Sequence, residues 1–172
     1  LHICAGVSAL RNRVQVSASI ATARELLKAG LDINAVHEIP DDDEIFLATP
    51  LWYALARGQN GELARFFLKA GADPDHCLWT VIWSKQPELV RLLLDAGEDP
   101  NRYNPEGSHS HSTPLHQAAL AGHTAVVRLL LERGARLDIK DIHHEATPLE
   151  WAEYAGHTEL ATFLRGRAAG IP

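Results

Sequence analysis

Ten histidines and a run of four carboxylates are the side chains of this 172-residue sequence that invite a chemical role first. His109-Ser110-His111 would offer two imidazoles to a metal, but zinc needs three or four ligands at fixed geometry. His143-His144-Glu145 does not have the His-Glu-x-x-His spacing that sets two ligands and a base on one helix face. Asp41-Asp42-Asp43-Glu44 could hold a basic peptide or a divalent cation, yet it lacks the ligand and glycine spacing of a calcium loop. A solvated acidic loop tip and ordinary loop histidines are therefore expected, with no metal and no cofactor. No phosphate-cradling glycine loop, Gly-x-Ser-x-Gly turn or dinucleotide fingerprint is present, so the stretch reads as non-catalytic.

Composition narrows the classes further. An apolar fraction of 46% and a charged fraction of 22% are ordinary for one globular domain. The net charge of −6 comes without a basic stripe, which argues against nucleic acid and weakly favours basic partners. No apolar run reaches the 18 or so residues of a membrane span, and residues 1–20 lack a secretory pattern. Cys4 and Cys77 stand far apart with no CxxC spacing, which suits a reducing, cytoplasmic setting. The chain opens on Leu1 and contains no Met, so a fragment of a longer protein is expected.

The elements that must position any site come from an internal repeat. Thr49-Pro50-Leu51, Thr113-Pro114-Leu115 and Thr147-Pro148-Leu149 each precede a short stretch rich in small residues, a Gly, and an apolar run. Those runs are Leu63–Leu68, Leu89–Leu94 and Val126–Leu131. Thr before Pro is a helix start: the hydroxyl caps free N–H groups and Pro fits the first turn without losing a hydrogen bond. Glu150 completes a Thr-x-x-Glu capping box. The first helix should end near Gly58, Gly122 or Gly156, and the second at a left-handed Gly71, Gly97 or Gly134. Leu and Val at i, i+3, i+4 give the second helix one apolar stripe, with Leu93 and Leu130 facing the core. One such pair cannot cover that stripe; stacked pairs can.

The unit from Ser112 to His123, continuing to Glu132-Arg133-Gly134-Ala135, closely resembles the ankyrin-repeat family. The resemblance covers nearly the whole chain as five units, about 1–34, 49–75, 76–101, 113–138 and 147–172, in a single domain. It implies an all-α solenoid of helix-turn-helix units with projecting finger loops. The third unit is degenerate, opening on His76-Cys77-Leu78 in place of Thr-Pro-Leu. The first holds roughly ten extra residues, expected near Val7–Ser19. His76 follows Gly71 by only five positions, which should remove the finger between units two and three.

The resemblance also implies a function: a monomeric scaffold that binds another protein through the groove formed by the fingers and the exposed side of each first helix. Carried onto this sequence, the groove positions include Arg57, Trp83, Ser84, Leu120 and Tyr154. Trp, Tyr and Arg are the residue types that dominate binding hot spots. Trp83 could instead fold over the gap left by the missing finger. His116, His123 and His157 fall on structural family positions, His116 bonding the backbone at its helix start. Trp52 and Trp79 replace that histidine and should act by packing, as should Trp151. The alternative function is a regulatory or targeting domain of a larger enzyme or effector.

Overall fold

The computed structural model describes residues 13–41, 44–75, 77–84, 86–104 and 110–170, without the side chains of residues 13–15, 40, 41, 44 and 45. The chain begins with α1 (Arg13–Lys28) and continues into an antiparallel hairpin, β1 (His37–Asp41) and β2 (Glu44–Ala48), in register from His37↔Ala48 to Asp41↔Glu44. Four helix pairs follow. They are α2 (Pro50–Ala56) with α3 (Gly61–Lys69), α4 (Leu78–Ile82) with α5 (Pro87–Asp95), α6 (Pro114–Leu120) with α7 (Thr124–Glu132), and α8 (Pro148–Tyr154) with α9 (Thr158–Ala168).

The helices begin where the Thr-Pro signals stand. Thr49 Oγ1 accepts from the Trp52 amide at 3.2 Å. Thr147 forms the full box: Glu150 Oε2 accepts from its amide at 2.6 Å and from its hydroxyl at 2.8 Å. Gly134, just past α7, has φ +88, a left-handed conformation that a side chain would strain.

Packing occurs in two layers. Each first helix contacts the next, α2 to α4 to α6 to α8; among the second helices α1 packs on α3 and α5 on α7, while Leu89 of α5 reaches Gly61 of α3. The apolar stripes meet between the layers: Leu63 and Phe67 from α3, Leu89 and Leu93 from α5, Val127 and Leu130 from α7, and Leu164 from α9 are all buried. The solenoid expected from the repeat is the architecture found, and its described strands form one finger. Leu93 and Leu130 face the core as the stripe predicted.

The spacing irregularities resolve into local structure. Of the extra residues expected near Val7–Ser19, Val7 to Asn12 lie outside the described residues, and Arg13 to Ser19 form the first two turns of α1. From Arg13 onward that stretch is helical and continuous with Arg24–Lys28. Leu51 to Gly71 spans one residue more than the later pairs do. The surplus sits at the α2–α3 turn, where Gln59 takes φ +45 and the Asn60 amide bonds to Ala54 O. Between Gly71 and Leu78 no strand occurs among the described residues, whereas Gly30 to Thr49 carries the hairpin. The acidic tip expected at Asp41–Glu44 falls largely outside them.

Candidate partner-binding face

The residues expected to line the groove occupy one repeated place, the C-terminal end of a first helix. Arg57 caps α2, Trp83 caps α4, Leu120 ends α6 and Tyr154 ends α8. Because these helices stack side by side, their ends share one edge of the inner layer. Tyr154 is 90% exposed and Trp83 50%. The Arg57 guanidinium stands 6.0 Å from the Trp52 ring, and the Trp83 ring lies edge-on to His123 at 6.3 Å, on the side of the following pair. Ser84 is turned inward: its hydroxyl donates to Val81 O at 2.7 Å and accepts from the Gln86 amide.

Leu120 and Tyr154 meet in a cavity of about 390 Å³. Leu120 forms one side, and α8 supplies Glu150, Trp151 and Tyr154. The fingers before and after the α6/α7 pair supply His111, His144 and Ala146. Arg57, Trp83 and Ser84 lie outside it.

Asp141 builds this cavity, a residue that sequence reasoning missed. It is buried, and its Oδ1 accepts the amides of His143 and His144 at 3.0 and 2.8 Å. Its Oδ2 accepts the Ala146 amide at 3.1 Å and the Trp151 indole N–H at 3.0 Å. Burial works to raise its pKa, but the four donated hydrogen bonds outweigh it and hold the group at about 2. One ionised carboxylate thus ties the finger to the ring on the cavity floor.

That ring does more than the packing expected of it. Trp151 does pack, edge-on against His116 at 5.3 Å, yet it also lines the cavity and carries a specific hydrogen bond. His111 is no isolated loop histidine either. Its ring lies 4.5 Å from His143 and 5.8 Å from Trp151. His109 lies outside the described residues, among which no three His, Cys, Asp or Glu side chains gather to hold a metal.

The family histidines fix the face in place. His116 Nε2–H donates to Ala146 O at 3.1 Å, so its Nδ1 is free to accept the Thr113 amide at 3.2 Å. Burial lowers its pKa and keeps the ring neutral, as this pair of bonds requires. His123 Nδ1–H and His157 Nε2–H reach back to Ile82 O and Leu120 O, at the ends of the preceding first helices. Gly122, at φ +67, leaves room for the His157 ring: a Cβ there would meet it at 2.6 Å. Trp52 and Trp79 replace the histidine by bulk, clustering with Phe46 of the hairpin at 5.1 and 5.6 Å.

The degenerate unit holds its helix by another device. Cys77 offers α4 no side-chain cap. Instead Glu98, only 7% exposed, accepts the amides of Cys77 and Leu78 at 2.8 Å each. Burial drives its pKa up to about 8, against the opposing effect of those two bonds, and its Oε2 has no partner. The matching position after the next pair is Ala135, so a carboxyl replaces a methyl beside the lost Thr. This cap positions the helix that ends at Trp83.

Comparison with known proteins follows the same lines. The family model described as "Ankyrin repeats (3 copies)" matches residues 77–171, and "Ankyrin repeat" matches residues 47–78. Relatives include an E3 ubiquitin-protein ligase (KEG) of Arabidopsis thaliana, 40% identical over 46% of this chain and 5% of that protein. Cyclin-dependent kinase inhibitor 2A of Monodelphis domestica is 29% identical over 62% of this chain and 64% of its own length. The phosphocholine transferase AnkX of Legionella pneumophila is 28% identical over 75% of this chain and 14% of its own. The chain therefore spans from 5% to 64% of the length of these three relatives. With three copies of the repeat matched across more than half of the sequence, and the same helix pairs stacked in space, the chain belongs to the ankyrin-repeat family.

Proposed function

We propose that this chain is a non-catalytic protein-interaction module that grips a partner protein along the first-helix ends and fingers, using Arg57, Trp83, Ser84, Leu120 and Tyr154. Ankyrin repeats generally mediate protein–protein interaction, and two relatives are named as inhibitors of cyclin-dependent kinases. The observation that carries the reading is the pairing of Tyr154, 90% exposed, with Leu120 at an apolar-walled cavity. An aromatic ring standing in solvent beside a concavity is the arrangement of a binding anchor. Val36, Leu47 and Ile142, exposed on the fingers, extend the apolar surface beyond it. Ser84, bonded to its own helix, would serve by fixing the turn that carries Trp83.

We read the chain as one monomeric domain of five units, with α1 as the second helix of the first. No described helix is long and apolar enough to cross a membrane, and a cytoplasmic setting belongs to the proposal. The test is capture of a partner from native lysate with this chain as bait. Trp83→Ala and Tyr154→Ala should each weaken capture about tenfold or more while leaving the circular-dichroism melt unchanged. Undiminished capture by both variants would move the binding face elsewhere.

A second reading is a regulatory or targeting domain of a larger protein. Its support is that the matched stretch fills only 5% of the ubiquitin ligase and 14% of the phosphocholine transferase. The complete gene distinguishes the two, since catalytic sequence beside these repeats would favour the second.

A further inference from the structure

We propose that the cavity between α6, α8 and their fingers takes the side chain of an arginine or lysine from an extended segment of the partner protein. This rests on the groove reading above and adds the chemistry of its central contact.

Three features converge on a long cationic side chain. The walls are Leu120, Ala146 and the rings of Trp151 and Tyr154, suited to an aliphatic stem and to a cation over an aromatic face. At about 390 Å³ the space lies within the range of small-ligand sites and exceeds one such side chain. The acidic group that lines it is Glu150. The Thr147 amide and hydroxyl hold that carboxylate at Oε2 and keep its pKa below the ordinary value, so it is ionised and already oriented. The neighbouring Asp141 carboxylate spends itself on four donors inside the finger. An acidic side chain would be repelled by Glu150, and an apolar one would strip its water without return.

Lys140 provides an internal control. It lies near enough to Glu150 to favour the ionised form, so it competes with an incoming cation. The two residues should therefore act in opposite directions on the same ligand.

The experiment uses the whole chain, ¹⁵N-labelled, titrated with three capped peptides that share a Ser/Leu frame and carry arginine, norleucine or glutamate at the centre. Binding is followed at the Trp151 indole N–H resonance. The arginine peptide should bind best and shift that signal. Glu150→Gln keeps the capping box, because Gln can also take that role. It should weaken the arginine peptide by about twofold to fivefold and leave the norleucine peptide no weaker than before. Lys140→Gln should strengthen the arginine peptide by a similar factor. Equal binding of the arginine and norleucine peptides would overturn the basic-residue assignment while leaving an apolar groove in place. Shifts confined to residues outside 111–154, or no binding by any peptide, would also overturn it. The groove reading is judged separately, by partner capture with the Tyr154→Ala variant.

Discussion

Two buried carboxyl groups in this protein stand at opposite ends of the titration scale, and their hydrogen bonds explain the difference. Asp141 receives four donors on two oxygens and stays ionised at about pKa 2. Glu98 receives two amides on one oxygen, leaves the other unpartnered and is driven by burial to about 8. For Glu98 the folded value lies above the unfolded one of 4.5, so the folded state binds the extra proton between them. Its contribution to stability is complete below pH 4.5 and is lost as pH rises through about 8. Urea unfolding should show a decline across that window, and Glu98→Gln, which is always neutral, should flatten it. Glu98→Ala should cost on the order of 1–3 kcal/mol at pH 5, because the amides of Cys77 and Leu78 stay buried without an acceptor. A pH profile identical in the Glu98→Gln variant and the parent would refute this role.

At the scale of elements, both helices of a pair feed the core, while the first helices also bring their C-terminal ends to the surface. Leu93 and Leu130 are buried to the last atom between layers. Replacing either with Ala should cost about 2–5 kcal/mol by removing packed methyls and leaving a cavity. Negligible loss in a denaturant titration at both sites would contradict the observed register. The first helices are only five to seven residues long and cannot stand alone. They depend on the caps at Thr49, Thr113 and Thr147, and at α4 on Glu98. Their ends are held by the neighbouring pair, through His123 to Ile82 and His157 to Leu120. The proposed binding face is thus made of short elements immobilised from outside, which keeps Leu120 and Trp83 in place while their side chains remain partly exposed.

For the molecule as a whole, the main contacts between the described helix pairs run from each pair to its neighbour, so stability should be distributed along the stack and not pooled at one point. Hydrogen exchange tests this. Leu164→Ala, in α9, the last described helix, should lower amide protection in α8 and α9 while α4 and α5 keep theirs. Leu93→Ala, in the middle, should lower protection on both sides. A uniform loss of protection from the Leu164 change would mean one cooperative unit instead. The cavity is built on α8, its finger and the end of α6. Partner binding there should raise protection of α8 and α9 most.

The repeat was legible in the sequence because its signals are local. Thr-Pro starts, left-handed Gly stops and the i, i+3, i+4 stripe act within a few residues of one another, and these fixed the helix pairs, the two layers and the burial of Leu93 and Leu130. The edge carrying Arg57, Trp83, Leu120 and Tyr154 follows from the family resemblance, with no local signal in these residues to mark it. Contacts across a separation of tens of residues were not legible. Nothing near Cys77 announces Glu98 as its cap, although an acidic residue following Gly97, where Gly134 is followed by Ala135, was the available sign. His111, Asp141 and Trp151 carry no motif, since their meeting depends on how one finger folds against the next. Only the stacked structure could bring Leu120 and Tyr154, separated by a full repeat, to the same cavity, because a solenoid makes neighbours of residues that the chain holds far apart.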